Sequence, residues 1–343
     1  QAIHLRGPDD HGMSIEKYAV LGHRRLSIID VESGQQPMWS DKCAVGIVFN
    51  GEIYNHEALR AELVSKGSVF SSHSDTEVIL NGYMMYGEAI FSRLDGMFAV
   101  VIYDSIKRKM VIARDRYGIK PLYQKMLSNG TFLFASEYKA ISAYGHFNGE
   151  DVQAVENYLH LGFMVEGRSF EKGVHQVRPG TCMTIDFSGS ISVNTFWCTS
   201  NVLSDDGVVP TDEEGLALLR NAVSSQSIAD PSVKVGSFLS GGLDSRIVTT
   251  LLTEVHAKHG QKLHCYTAGF NDKKHDESEL AKELAHSLGN QHSKIMFGED
   301  MMSQLSELNM IYSGPFADNA ALPTYHISKL ARKDVKVLLS GDG

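Results

Sequence analysis

The chain has 343 residues, 43% of them apolar, with a formal charge of −9. That length and composition suit two domains with real cores. The acidic balance argues against nucleic-acid binding as a main role, and no apolar run approaches the roughly 20 residues of a membrane span.

Residues 1 to about 190 carry short alternating segments. Ala44–Phe49 reads as a buried strand ending at Asn50-Gly51. Asn55 to Lys66 and Ser74 to Tyr86 read as amphipathic helices, the second with a Ser74/Glu77 capping pattern. Phe98–Asp104 and Lys109–Arg114 flank a polar turn and predict a hairpin. Strands accompanied by amphipathic helices predict sheets covered by helices. Arg24-Arg25 is expected to start an apolar strand through Ile29. Cys43, inside a predicted buried strand, is expected to be a packed thiol. The four cysteines, Cys43, Cys182, Cys198 and Cys265, lack metal spacing and fit reduced thiols of a cytoplasmic protein.

Polar residues gather at the predicted element ends: Arg6-Gly7-Pro8-Asp9, Arg25-Leu26-Ser27-Ile28, Asn50-Gly51-Glu52-Ile53-Tyr54-Asn55, Ser74-Asp75-Thr76-Glu77 and, from Arg114 to Tyr123, Arg-Asp-x-x-Gly-Ile-Lys-Pro-Leu-Tyr. Each alone reads as an ordinary turn or cap. In this order, the series resembles the glutamine amidotransferase domain of the N-terminal-nucleophile class, whose N-terminal Cys attacks the glutamine amide. The resemblance implies that Arg25 pairs with the glutamine α-carboxylate, Asp75 takes the α-ammonium, and the Asn50 side chain with the Gly51 N–H forms the oxyanion hole. It implies further that Leu26, Ser27, Ile28, Ile29 and Glu52 line the glutamine pocket. The family's nucleophile precedes Arg-Gly-Pro-Asp by some tens of residues. Only five residues precede Arg6 here and none is Cys. The chain is therefore expected to be a piece cut at both ends, and as it stands to lack glutaminase activity.

Residues 191–210 read as a linker before a second domain, 211–343. Thr211 to Glu214 starts a helix. Strands predicted at 233–239, 263–270, 293–297 and 335–339 alternate with helices at 246–258, 276–288, 299–313 and 323–333. Asp276 with Glu279 reads as a capping box and Gly289 as a helix stop. The pattern predicts a doubly wound, mostly parallel sheet, whose ligands bind outside the carboxyl ends of the strands. There lie Ser240-Gly241-Gly242-Leu243-Asp244-Ser245, Thr267-Ala268-Gly269 and Ser340-Gly341-Asp342. A strand, a glycine turn and a helix start make an anion site. Asp244 would repel a bare phosphate, which points to a metal ion between them.

The 240–245 run resembles the pyrophosphate loop of ATP pyrophosphatases, with Arg246 where asparagine synthetases often carry a second Ser. With the first domain, the whole chain is identified as a member of the glutamine-hydrolysing asparagine synthetase family. The resemblance implies an α+β N-terminal-nucleophile αββα sandwich over 1–190. After the linker it implies an α/β doubly wound parallel sheet of the adenine nucleotide alpha hydrolase-like kind. It implies that Phe238, Ser240, Gly241, Gly242, Leu243, Asp244, Ser245, Ala268, Ser340 and Gly341 bind ATP, with Asp244 on Mg²⁺. Asp342 stands for the acid that helps make the acyl-adenylate, where well-known asparagine synthetases have Glu. Tyr312 to Tyr325 resembles the segment lining the acceptor pocket. Glutamine, aspartate and ATP are the implied substrates, with a homodimer left open. The alternatives are a relative that amidates a sugar acid or closes a β-lactam, and a catalytically dead glutamine- or nucleotide-binding module. A PRPP-dependent amidotransferase shares only the first domain.

Overall fold

A computed structural model describes residues 2–40, 44–201, 209–274, 276–298 and 303–341. The chain divides into two compact units, 1–206 with 312–317, and 207–311 with 318–343.

The first unit is built on a six-stranded sheet ordered Ile191–Thr195, Thr181–Asp186, Lys109–Arg114, Gly96–Asp104, Val45–Ile53, Met38–Trp39, every neighbour antiparallel. Side chains alternate across a strand, so each strand feeds two cores. On Gly96–Asp104, Phe98, Val100 and Ile102 face helices His56–Ser65 and Asp75–Tyr86 through Leu59, Leu63, Ile79 and Tyr83. Ala99, Val101 and Tyr103 face the other way, onto Leu21, Leu122, Phe134 and Val177. That second layer holds the hairpin of Asp10–Ile15 with Val20–Arg25 and a sheet ordered Phe132–Ala135, Tyr123–Met126, Val174–Gln176. Tyr138 and Ile141, on the short helix Tyr138–Ser142, close over Val174. The layers run helix, sheet, sheet, helix: the αββα sandwich.

The second unit is a four-stranded sheet ordered Gln291–Phe297, His264–Phe270, Val235–Phe238, Val337–Leu339, all parallel. Helices Asp212–Gln226, Leu243–Lys258 and Ser278–Ser287 pack on one face through Val223, Leu252, Ala281 and Ala285. Helix Ala321–Ala331 packs on the other face through Ile327 and Ala331. Helices on both faces make the sheet doubly wound. The chain moves outward from the central strand to one edge, then returns to its other side at Val337. The reversal lies beside the Ser240 loop, where open α/β sheets bind ligands.

Several local expectations are corrected. The strand from Val45 does not stop at Asn50 but runs to Ile53, because Asn50, Gly51 and Glu52 stay paired with Ala99, Phe98 and Met97. Arg24 and Arg25 end a strand instead of starting one, since Leu26–Ile29 pairs with no strand. Residues 191–195, assigned to the linker, form a strand on Thr181–Asp186. Residues 202–208, the rest of the linker's core, lie outside the described residues, as does Cys43. The Asp276/Glu279 capping box does not form: the 278–287 helix has Glu277 at its N-cap with no side-chain cap. Asp276 instead accepts from the Ser278 amide and pairs with Lys294 at 2.9 Å. Gly289 does stop that helix, its N–H reaching His286 O and the Asn290 N–H reaching Ala285 O. Helix Ala321–Ala331 starts two residues before Pro323, which sits in the first turn, where no intrahelical N–H is needed.

Candidate active sites

The first unit encloses a cavity of about 780 Å³. Its floor is the strand Val45–Ile53, its walls the end of Val20–Arg25, the 26–34 loop and the start of Asp75–Tyr86. Arg25, Leu26, Ile28, Ile29, Asn50, Gly51, Glu52 and Asp75, distant in sequence, all line it. Ser27 does not line it. Its side chain is buried, and its amide donates to the Asp9 carboxylate at 3.0 Å.

Arg25 is buried and has a structural task of its own. Its guanidinium donates to the carbonyls of Ile29 at 3.0 Å, Asp30 at 2.6 Å and Val31 at 3.1 Å, curling the 26–34 loop. Gly34 is required beside it, since a Cβ there would strike Nη2. Gly51 is required by close approach too: a Cβ would run into the Met97 carbonyl. Opposite it, both backbone groups of Phe98 bond to Asp115, so the ladder leaves the Gly51 N–H facing away from strand Gly96–Asp104. Strand Met38–Trp39 pairs only as far as Ile47, and the sheet does not use that donor. The Asn50 amide nitrogen lies 3.3 Å from Ser136 Oγ.

Asp75 is held with care. Ser74 caps its helix through the Thr76 amide at 3.1 Å. Glu77, expected to reach back to Ser74, instead accepts from the amides and hydroxyls of both Ser71 and Ser72 at 2.6–3.0 Å. Arg60 donates to the Ser72 and Ser74 carbonyls at 2.8 and 3.0 Å. The buried Asp75 carboxylate accepts the Ile53 amide at 3.1 Å. Burial raises its pKa, against the pull of that bond. Burial and the neighbouring Asp75 push Glu52 up to about 7, with Lys120 pulling the other way. Two carboxylates lining one cavity favour a cationic ligand group.

Among the lining residues that sequence reasoning did not assign to the site are His23, Gln36, Lys120 and Ser136. His23 donates Nε2–H to Phe49 O at 3.1 Å, leaves Nδ1 buried without a partner, and is held down to about 4 by burial. Gln36 joins strand to helix, accepting the Phe49 amide at 2.6 Å and donating to Thr76 Oγ1 at 3.2 Å. Lys120 is lowered by burial. Ser136 meets Asn50. The Lys of Gly-Ile-Lys-Pro was visible as a motif; nothing marked the other three.

In the second unit, the Ser240 loop follows the central strand. The Ser240 amide and hydroxyl both meet Ser245 Oγ, at 3.1 and 2.9 Å. Two further loop amides also have protein partners. Gly241 N–H donates to Glu277 at 2.9 Å and Gly242 N–H to Ser240 Oγ at 3.2 Å. The anion donors that remain are at the start of helix Leu243–Lys258, whose N-cap is Gly242 and which no side chain caps. Asp244 lies exposed in that first turn and is not the cap. Gly341 packs onto the same turn: a Cβ there would lie 2.6 Å from the Asp244 carbonyl carbon. On three adjacent strands, Phe238 ends Val235–Phe238, Ser340 directly follows the edge strand Val337–Leu339, and Ala268 lies two residues before the end of His264–Phe270. Asp342 lies outside the described residues. Asp318 accepts the Ala320 amide at 2.8 Å in a turn before helix Ala321–Ala331. Among the described residues, no three His, Cys, Asp or Glu side chains gather to hold a metal ion. No described helix is long and apolar enough to cross a membrane.

A glutamine amidotransferase domain family matches residues 1–197 and the asparagine synthase family residues 214–343. Over its full length the chain is 38% identical to asparagine synthetase [glutamine-hydrolyzing] 1 of Bacillus subtilis, of which it spans 53%. It is 35% identical to a putative asparagine synthetase [glutamine-hydrolyzing] 2 of Methanocaldococcus jannaschii, spanning 70% of that protein. A solved glutamine PRPP amidotransferase from B. subtilis aligns at 17% identity and a TM-score of 0.40, over 83% of this chain and 56% of that one. The chain thus spans about half the length of most curated relatives it matches. Both matched domains stand in the order of those relatives, and the chain belongs to the glutamine-hydrolysing asparagine synthetase family.

Proposed function

We propose that the protein containing this chain makes asparagine from aspartate, drawing nitrogen from glutamine and energy from splitting ATP between its α- and β-phosphates. The observation that carries the reading is the cavity in which Arg25, Asp75 and the Gly51 N–H, far apart in sequence, converge. In it, Asp75 and Glu52 receive the glutamine α-ammonium. Arg25 both curls the 26–34 loop and offers its remaining N–H groups to the α-carboxylate. The Gly51 N–H and Asn50 amide stabilise the tetrahedral oxyanion, where a preorganised donor is worth roughly 10²–10³ in rate.

In the second unit, the helix start at Leu243–Ser245, with the Ser240 and Ser245 hydroxyls, receives pyrophosphate. Phe238, Ala268, Ser340 and Gly341 frame the nucleotide. A carboxylate is a poor electrophile because it has no good leaving group. Adenylation of the aspartate side chain supplies AMP as that group, and ammonia then displaces it. Mg²⁺ fits the residues present. Asp244 offers one exposed carboxylate beside the anion donors, and such an ion takes one or two protein carboxylates with phosphate oxygens and waters. When bound, it supplies charge neutralisation of the departing pyrophosphate. Asp342 is assigned the acyl-adenylate step on the family pattern.

The test is to incubate the full-length protein with aspartate, ATP and amide-¹⁵N glutamine. Labelled asparagine with equimolar AMP and pyrophosphate is expected. ADP and phosphate as products, or turnover indifferent to aspartate, would overturn the reading.

A further inference from the structure

The peptide that leads from the central strand into the Ser240 loop is held on both sides. Its N–H, that of Ser240, meets Ser245 Oγ at 3.1 Å. Its carbonyl, that of Leu239, accepts from the hydroxyl of Thr267 on the neighbouring strand at 2.6 Å. Thr267 is 3% exposed, and its Oγ1 also lies 3.0 Å from Nε2 of His292, on the edge strand beyond. A threonine hydroxyl has one proton, and a carbonyl oxygen can only accept. The Thr267 proton therefore goes to Leu239 O, and His292 Nε2–H must donate to Thr267. Three adjacent strands are thus tied by a directed chain of hydrogen bonds, from His292 through Thr267 to Leu239, whose end fixes the tilt of the loop's first peptide.

We propose that Thr267 and His292 are positioning residues for the nucleotide site, holding the Leu239–Ser240 peptide so that the Ser240 and Ser245 hydroxyls face the pyrophosphate. The proposal rests on the ATP-splitting role given to that loop. Neither side chain touches the nucleotide. They act through a carbonyl, and buried relays of this kind are strict about donor and acceptor. A valine at 267 matches threonine in shape but leaves Leu239 O without its donor and His292 without its acceptor. A serine restores both.

The test compares the full-length protein with Thr267→Val, Thr267→Ser, His292→Leu and His292→Gln, the last keeping an N–H donor. In Thr267→Val, the KM for ATP in pyrophosphate release rises by roughly tenfold, as the loss of one buried hydrogen bond predicts. His292→Leu shows a smaller rise. The Ser and Gln variants return to within about threefold of the parent, and glutamine hydrolysis is unchanged in all four. Amide exchange at Ser240 quickens in Thr267→Val and recovers in Thr267→Ser, a readout that needs no turnover. Unchanged ATP kinetics and exchange in Thr267→Val would overturn the proposal, and so would a Ser variant as impaired as the Val variant. A parent protein that releases no pyrophosphate, yet shows the exchange pattern, would overturn the ATP-splitting role and leave the relay standing.

Discussion

Glu52, like His23, carries a large electrostatic shift in the cavity of the first unit. Burial and Asp75 push its carboxyl up to about 7, so near neutrality it is half protonated before a ligand arrives. The ionised form is the one that can receive an ammonium, and it becomes populated as pH rises through that value. In the full-length protein, the KM for glutamine should fall as pH rises from about 6 to 8. Glu52→Gln should show a raised KM with no such slope, measured as glutamate release across that range. A parent KM flat with pH would remove Glu52 from ammonium recognition. Stability has the opposite sense: a carboxyl raised in the folded state loses its favourable contribution as pH rises through the folded value. Arg25 teaches a related lesson. The family resemblance implies a fork for a carboxylate, while the fold shows much of that fork already engaged with the carbonyls at 29, 30 and 31.

Among the elements, the 71–77 turn is the one on which the cavity depends. Glu77 gathers Ser71 and Ser72 ahead of the helix, and Arg60 ties down the carbonyls of Ser72 and Ser74. Glu77→Gln keeps the size but replaces one acceptor oxygen with donor hydrogens facing donors. It should cost about 2–4 kcal/mol of stability and raise the KM for glutamine several-fold, with ammonia-dependent synthesis unaffected. Calorimetry with glutaminase kinetics checks both, and an unshifted melting temperature would show the turn to be held by other contacts. The sequence could mark this turn as a cap but not its partners, because Ser-x-x-Glu spacing is equally consistent with a reciprocal box and with a carboxylate turned upstream. The same limit explains other differences. Strand periodicity located Val45–Phe49, but only pairing with Gly96–Asp104 carries the strand on to Ile53. Alternation of strands and helices made the parallel sheet of the second unit legible. Side-chain links across strands, such as His292 to Thr267, have no linear spacing and leave no mark in the sequence.

At the scale of the molecule, the proposed function assigns the two units separate chemistries, so a substitution in one should leave the basal rate of the other intact. Asp244→Asn keeps the shape of the loop while removing the charge. Gly242, not Asp244, is the N-cap of the helix, so the melting temperature should not move. Pyrophosphate release should drop by orders of magnitude with either glutamine or ammonia as nitrogen source, since neutralising a departing phosphate is worth several kcal/mol. Basal glutaminase activity should persist. A synthetase rate near that of the parent would leave Asp244 without a role in holding the metal.

The order of the parallel strands also governs how the second unit comes into being. Val235 pairs with Val337, so the central strand waits for a neighbour synthesised about a hundred residues later. Until that stretch leaves the ribosome, one edge of the strand is unpaired, and Gly341 is not yet seated against the Asp244–Ser245 turn. The nascent unit therefore passes through a state with its hydrophobic edge open to other chains. That edge closes only when Val337–Leu339 docks, which makes the interval before its docking the stage at which this edge of the sheet is most exposed to aggregation.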